Sequence, residues 1–256
     1  MAQRPRQLGP IVMRHAPWHV TAAPADYRFV DETGAVSEAA SADALQHMLL
    51  QLMEDRALAA LPDHGRLRGV LAVHEGLGIL FVGGPQSGKT TLALALLLAG
   101  FEVSGDDLVL IQDDHAIAMP RRFAYWETAC ELLPMLPGPG DRALRLGDRR
   151  AELKLQIDPT DLGRVWTVRP VPIAAIFCLD PNFGGRSTLR RCTAREALPF
   201  LLAQYGPPPN GHPAAIGRFC AMADRSHIAI LTLGTLDDAT RWIRRALEAL
   251  PEPAAP

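Results

Sequence analysis

The apolar tetrapeptide Ile79-Leu80-Phe81-Val82 runs straight into Gly83-Gly84-Pro85-Gln86-Ser87-Gly88-Lys89-Thr90, and a helix-forming stretch opens at Thr91. No other part of the chain restricts the fold as strongly. The octapeptide fits G-x4-G-K-S/T, and strand, glycine turn, helix is the order in which that pattern carries a mechanism. Turn glycines let backbone N–H groups curl around a polyphosphate without Cβ clashes. The helix N-terminus adds partial positive charge at the same point. Lys89 then supplies a mobile cation for the β- and γ-phosphates, and the Thr90 hydroxyl a magnesium ligand. The expected nucleotide-binding set is Gly83, Gly84, Pro85, Gln86, Ser87, Gly88, Lys89, Thr90 and Thr91, with ATP and Mg²⁺ as the bound groups. The alternative is a glycine turn that joins strand to helix and binds nothing.

The residues that follow narrow the class. Gly100 is placed to end the helix as its C′ residue. A short strand is expected over 101–104, then Asp106-Asp107, then the apolar run 108–111. The two aspartates stand seventeen and eighteen residues after Lys89. A parallel strand beside the P-loop strand would bring both carboxylates to the sheet edge where ligands bind in open α/β folds. One can hold Mg²⁺ through water and the other can take a proton from an attacking hydroxyl. Catalytic roles are therefore expected for Asp106, Asp107 and Lys89, with Thr90 and Asp107 at the metal. The competing reading is that Asp106-Asp107 only forms a turn or cap.

The unit GKTTLALALLLAGFEVSGDD resembles the HPr kinase/phosphorylase family, above all its shorter HPr-kinase-related members, including those that phosphorylate lasso-peptide precursors. The strong match covers about residues 69–111, and a weaker likeness runs to about 247. The resemblance implies a fold shared with ATP-using phosphoenolpyruvate carboxykinases. Gly83, Gly88, Lys89 and Thr90 match the nucleotide loop of the family. Asp106 and Asp107 match the acidic pair that deprotonates the acceptor serine and helps place magnesium. Two departures stand out. Arg68 occupies the place, before Gly69-Val70-Leu71, where the family has a histidine. The glycine-rich signature loop tied to the reverse phosphorylase reaction is absent. Kinase activity alone is expected, and HPr is not expected as the substrate. The partner implied is a peptide or small protein carrying a phosphoacceptor hydroxyl, and homo-oligomers occur among related kinases. Two alternatives stay open: a small-molecule kinase, and a nucleotide-gated regulatory ATPase without a phosphoacceptor.

Composition bounds the rest. With 256 residues, 48% hydrophobic and 21% charged, the chain suits one domain with a small appendage. A net charge of −2 argues against nucleic-acid binding. No apolar run reaches membrane-spanning length and no signal peptide is visible, so no membrane partner is expected. Four cysteines without C-x-x-C spacing suit a cytoplasmic setting.

The expected fold is α/β: a P-loop-containing mixed twisted sheet with flanking helices, divided as an N-terminal α+β segment 1–62, a P-loop kinase domain 63–250 and a tail 251–256. Strands are expected near 11–13, 27–30, 67–73, 79–82, 116–119, 152–157, 172–179, 188–192 and 228–233. Helices are expected over 41–61, 91–99, 123–136, 193–204, 214–223 and 236–250. His15 and His19 have i, i+4 spacing, but Pro17 argues against a helix there. His74, in the turn before the P-loop strand, is a weak substitute for the family histidine. Arg121 or Arg122 can reach a transferred phosphoryl group. Gly184-Gly185 reads as a hairpin turn rather than a phosphate loop, since no helix follows it.

Overall fold

The computed structural model describes residues 11–15, 18–23, 26–31, 34–61, 64–138, 154–206 and 213–250. Two units divide the chain, 1–62 and 63–256.

In the first unit, strands β1 (Ile11–His15), β2 (Trp18–Ala23), β3 (Asp26–Val30) and β4 (Val36–Ala39) form an antiparallel meander. Helix α1 (Ala42–Ala59) follows, its start capped by Ser41, whose side chain accepts from the Ala44 N–H. Among the described residues of this unit, Phe29 on β3 and Leu45 and Leu58 on α1 are the buried apolar ones. The sequence signalled β1, β3 and α1 but neither β2 nor β4. His15 and His19 lie on neighbouring antiparallel strands, His15 opposite Trp18 and His19 opposite Arg14.

The second unit begins with a hairpin. Strands β5 (Gly65–His74) and β6 (Leu77–Val82) pair antiparallel through Glu75 and Gly76. Both turn residues have positive φ, 52° and 82°, the geometry that suits the right-handed twist of the strands. Helix α2 (Lys89–Leu98) leaves the glycine turn and is apolar on every face, with Leu92 to Leu97 all buried. It ends in a Schellman motif: Gly100, at φ 98°, donates to the Leu97 carbonyl, and Phe101 donates to that of Leu96. Strands β7 (Glu102–Val103), β8 (Leu108–Gln112), β9 (His115–Ala118) and β10 (Phe123–Trp126) follow, then the single-turn helix α3 (Ala129–Leu132) and β11 (Lys154–Ile157). The remainder is β12 (Val171–Pro181), β13 (Thr188–Arg191), α4 (Ala194–Ala203), α5 (Pro213–Arg225), β14 (His227–Leu233) and α6 (Leu236–Glu248). The expected Thr193–Glu196 capping box opens α4 with both of its hydrogen bonds formed.

The main sheet is mixed, in the order β13-β14-β12-β6-β5-β8-β9, with β7 also on β5. The P-loop strand β6 lies between parallel β12 and antiparallel β5. Strand β9 turns back onto the first residues of β12, Ala116 opposite Val171, so that β12, β6, β5, β8 and β9 close a ring of pairings. Two cores cover the sheet. One holds Val70, Ala72, Ile79 and Phe81 against α2, β10 and α6. The other holds Leu67, Leu71, Leu80 and Val82 against α4 and α5. Among the described residues, no helix is long and apolar enough to cross a membrane.

Three expectations are corrected. Residues 123–136 are not one helix: Phe123 and Tyr125 alternate inward on β10, which pairs with β11, and only α3 is helical. Strand β13 pairs with β14 and not with β12, so Asn182 to Gly185 is a crossover loop and not a hairpin turn. Strand β7 runs in the same direction as β6 but does not adjoin it, because β5 stands between them.

Candidate functional site

The glycine turn is shaped by close approaches. A Cβ at Gly83 would lie 2.6 Å from Ser87 Oγ, and one at Gly88, whose φ is +85°, would lie 2.7 Å from Leu233 Cδ2. Gln86 also has positive φ, 60°, an uncommon state for a side-chain-bearing residue. Gly84 and Pro85 are exposed at the tip, and Thr90 and Thr91 are half-buried in the first turn of α2. Gly88 offers no side-chain cap, so the first N–H groups of α2 have no capping side chain there.

Lys89 Nζ donates to the carbonyls of Gly83 (2.8 Å) and Gly84 (2.7 Å). Burial holds its ammonium below the ordinary lysine value; Asp107 and Asp106 draw it back up, and Arg68 pushes it further down. The lysine therefore shares an electrostatic neighbourhood with both aspartates. Ser87 Oγ is buried with no hydrogen-bond partner among the described residues. A buried hydroxyl without a partner costs about 1–3 kcal/mol, and phosphate oxygens are acceptors that would meet that need.

The acidic pair reaches this neighbourhood through a bulge. Val103 pairs with Ala72, but Val109 pairs with Leu67, so the β7–β8 line gains one residue relative to β5. The extra residue falls within 104–107. It is fixed from both sides: Asp107 O accepts from the Gly69 N–H (3.1 Å), and Ser104 O accepts from the Arg121 N–H (3.2 Å). A Cβ at Gly105 would collide with the Met119 carbonyl, and one at Gly69 would lie 2.7 Å from Phe81 O. Gly69 in turn pairs with Val82, the residue before Gly83. The aspartates thus stand at the level of the P-loop, one strand across. Asp106 is buried, while the Asp107 side chain is half exposed and accepts from Arg121 Nη1 at 2.9 Å. Arg121 is engaged by the acid it flanks. Arg122 acts on Asp158, whose carboxyl burial would raise but which hydrogen bonds from Thr160 and Trp166 hold low.

On the other flank, the loop opens into a cavity of about 760 Å³ lined by Gln86 to Thr91 together with Trp126, Phe183, Gly234 and Asp237. None of these four walls was singled out in the sequence. They come from three distant stretches, and the one available signal was the exposed aromatic Phe183 beside Gly184-Gly185. Phe183 also packs on Gly88, 3.2 Å from where its Cβ would be. His74 lies at the opposite end of β5 from this site, its ring 4.7 Å from that of Phe101, and takes no part. The second acidic pair, Asp113-Asp114, is in the exposed β8–β9 turn, where Asp114 contacts His115 at 2.7 Å.

Among the described residues, no cluster of three or more His, Cys, Asp or Glu is arranged to hold a metal. A hard cation here would take oxygen ligands from Thr90, an aspartate and phosphate together, as magnesium does. No protein-family model and no curated protein matches this sequence. The solved structure of the HPr(Ser) kinase/phosphatase from Coxiella burnetii matches with a TM-score of 0.35 and 12% identity, over 72% of this chain and 96% of that one. It is a distant structural similarity, and the roles that follow rest on this chain's own residues.

Proposed function

We propose that this chain is an ATP-dependent kinase that moves the γ-phosphoryl group to a hydroxyl, with a serine of a peptide or small protein as the acceptor. The observation that carries the reading is the placement of Asp106 and Asp107 within electrostatic reach of Lys89, across one strand from the glycine turn. In this reading the N–H groups of the turn and of the start of α2 bind the phosphates, and Lys89 exchanges its two carbonyl contacts for phosphate oxygens. The adenosine enters the cavity beside Phe183 and Trp126. Thr90 and Asp107 would hold magnesium, which supplies charge neutralisation at the phosphates. Asp106 or Asp107 takes the acceptor's proton as its oxygen bonds to phosphorus; the bond to the bridging oxygen breaks and the electron pair leaves with ADP. Burial of α2 on every face keeps the loop in place, which suits a site that works by positioning and charge rather than covalent chemistry. The serine acceptor rests on the resemblance of residues 69–111 alone.

The test is incubation with γ-labelled ATP and candidate peptides, with the label followed into peptide, small molecule or free phosphate. Label on a seryl oxygen supports the reading. Label on a free metabolite would move the assignment to a small-molecule kinase, and free phosphate alone would move it to a nucleotide-gated ATPase. Lys89→Ala is expected to lower MgATP affinity by about a hundredfold, measured by calorimetry.

A further inference from the structure

Arg68 stands where the two halves of the site meet. Its neighbour Gly69 pairs with Val82 on one side and donates to the Asp107 carbonyl on the other. Arg68 therefore lies level with Gly83 and pairs with Leu108, the residue after the acidic pair. The alternation along β5 fixes its side. Leu67, Leu71 and Val73 face the core under α4 and α5, whereas Val70 and Ala72 face the core under α2. Arg68 shares parity with Val70 and Ala72, so it falls on the face from which α2 and Lys89 rise. Its backbone is pinned, the N–H donating to the Gln204 carbonyl at 2.8 Å. Its side chain is exposed, and among the described residues no hydrogen bond or ion pair engages the guanidinium. The influence of Arg68 is felt at Lys89, which agrees with this placement. Of the arginines that the sequence singled out, Arg121 is held by the Asp107 carboxylate and Arg122 is directed towards Asp158.

We propose that Arg68 is a further catalytic residue, whose guanidinium contacts the phosphoryl group during its transfer. The proposal rests on the kinase reading above. In the transfer, the acceptor oxygen bonds to the γ-phosphorus and its proton passes to Asp106 or Asp107. The bond from phosphorus to the bridging oxygen breaks, and its electron pair stays on ADP. Arg68 forms no covalent bond and exchanges no proton, since a guanidinium stays charged throughout the working pH range. It offsets the charge spread over the equatorial oxygens, an interaction stronger in the transition state than in bound ATP. An exposed position on a pinned strand allows that role without cost to folding.

The test uses the full chain and needs no acceptor. Calorimetry compares MgADP alone with MgADP plus aluminium fluoride, which mimics the phosphoryl group in flight, for the parent, Arg68→Ala, Arg68→Lys and Lys89→Ala. The parent is expected to bind the fluoroaluminate complex at least about tenfold more tightly than MgADP. Arg68→Ala should lose that increment while keeping MgADP affinity within about twofold, and Arg68→Lys should keep part of it. An increment that survives in Arg68→Ala overturns the proposal, as does a parent that shows none. Lys89→Ala separates the two claims. If it binds MgADP like the parent, the nucleotide reading falls and this proposal falls with it; if it alone loses MgADP while Arg68→Ala keeps the increment, only the role of Arg68 is refuted.

Discussion

The two flanks of the glycine turn are built in opposite ways. The acidic flank comes from the stretch β5 to β8, with Arg121 just beyond β9, and backbone contacts hold it: Gly69 pairs with Val82, the Gly69 N–H donates to the Asp107 carbonyl, and the Arg121 N–H donates to the Ser104 carbonyl. The cavity flank is assembled from Trp126, Phe183 and the 233–237 segment, which are far apart in sequence and lie at strand ends and loops. Asp106 is 8% and Phe183 63% accessible, while Asp107, beside Asp106, is half exposed. In the proposed kinase, the chemistry sits on the rigid flank and recognition of the nucleotide's remainder on the softer one. Separable flanks should fail separately when mutated.

The largest effect should come from the acidic flank. Asp106→Asn with Asp107→Asn is expected to lower phosphoryl transfer by about a thousandfold or more, while affinity for ADP without magnesium stays within about threefold. Transfer at the parent rate would remove the acidic pair from the mechanism, and a parallel loss of nucleotide would show that the flanks are not separable. On the cavity flank, Phe183→Ala or Trp126→Ala should weaken ATP by about tenfold and leave tripolyphosphate, which has no base, unchanged. Equal losses for both ligands would mean that these aromatics shape the loop rather than seat the base.

Between the flanks, Ser87→Ala should uncouple stability from binding. Removing a buried hydroxyl that has no partner among the described residues is expected to leave the thermal midpoint unchanged or raise it, while MgATP affinity falls by about threefold. A lowered midpoint would show that the hydroxyl already has a structural partner.

The smallest effect lies away from both flanks. Burial, aided by Arg191, depresses the His227 pKa below its ordinary 6.5. The unfolded chain then binds the extra proton first, so stability is complete above about pH 6.5 and declines as the pH falls from there towards the folded value. His227→Gln should flatten the melting profile over that window by a midpoint change under about 2 °C, with ATP binding unaltered. An unchanged slope would place the acid sensitivity elsewhere.

The acidic flank was largely legible in the sequence because it is local. The glycine turn, the β5–β6 hairpin, the end of α2 at Gly100 and the acidic pair are each signalled within a few residues of where they act. What could not be read was partnership. The rule that a strand after a helix lies beside the P-loop strand fails here because β5, hydrogen-bonded to β6 by the Glu75-Gly76 turn, already fills that place. The 123–136 run mixes aromatics with Glu127 and Glu131, so helical spacing competes with the alternation of Phe123 and Tyr125, and pairing with the distant β11 decides. The cavity walls escaped for the same reason: Phe183 looks like a turn residue until β14 inserts between β12 and β13 and carries the 233–237 segment past it. Strand β4, Val36–Ala39, is four residues long with a single β-branched residue, too weak a signal to stand out.

The closure of β9 onto β12 has a consequence for evolution and for engineering. An open sheet lets a length change in an edge strand run out at the free end, but a hoop has no free end. An insertion or deletion at 104–107 would have to be matched on the far side, at the β9–β12 seam, before any strand could keep its partner. At the acidic bulge the number of residues is therefore constrained, and so is the identity of Gly105, whose place beside the Met119 carbonyl admits no Cβ.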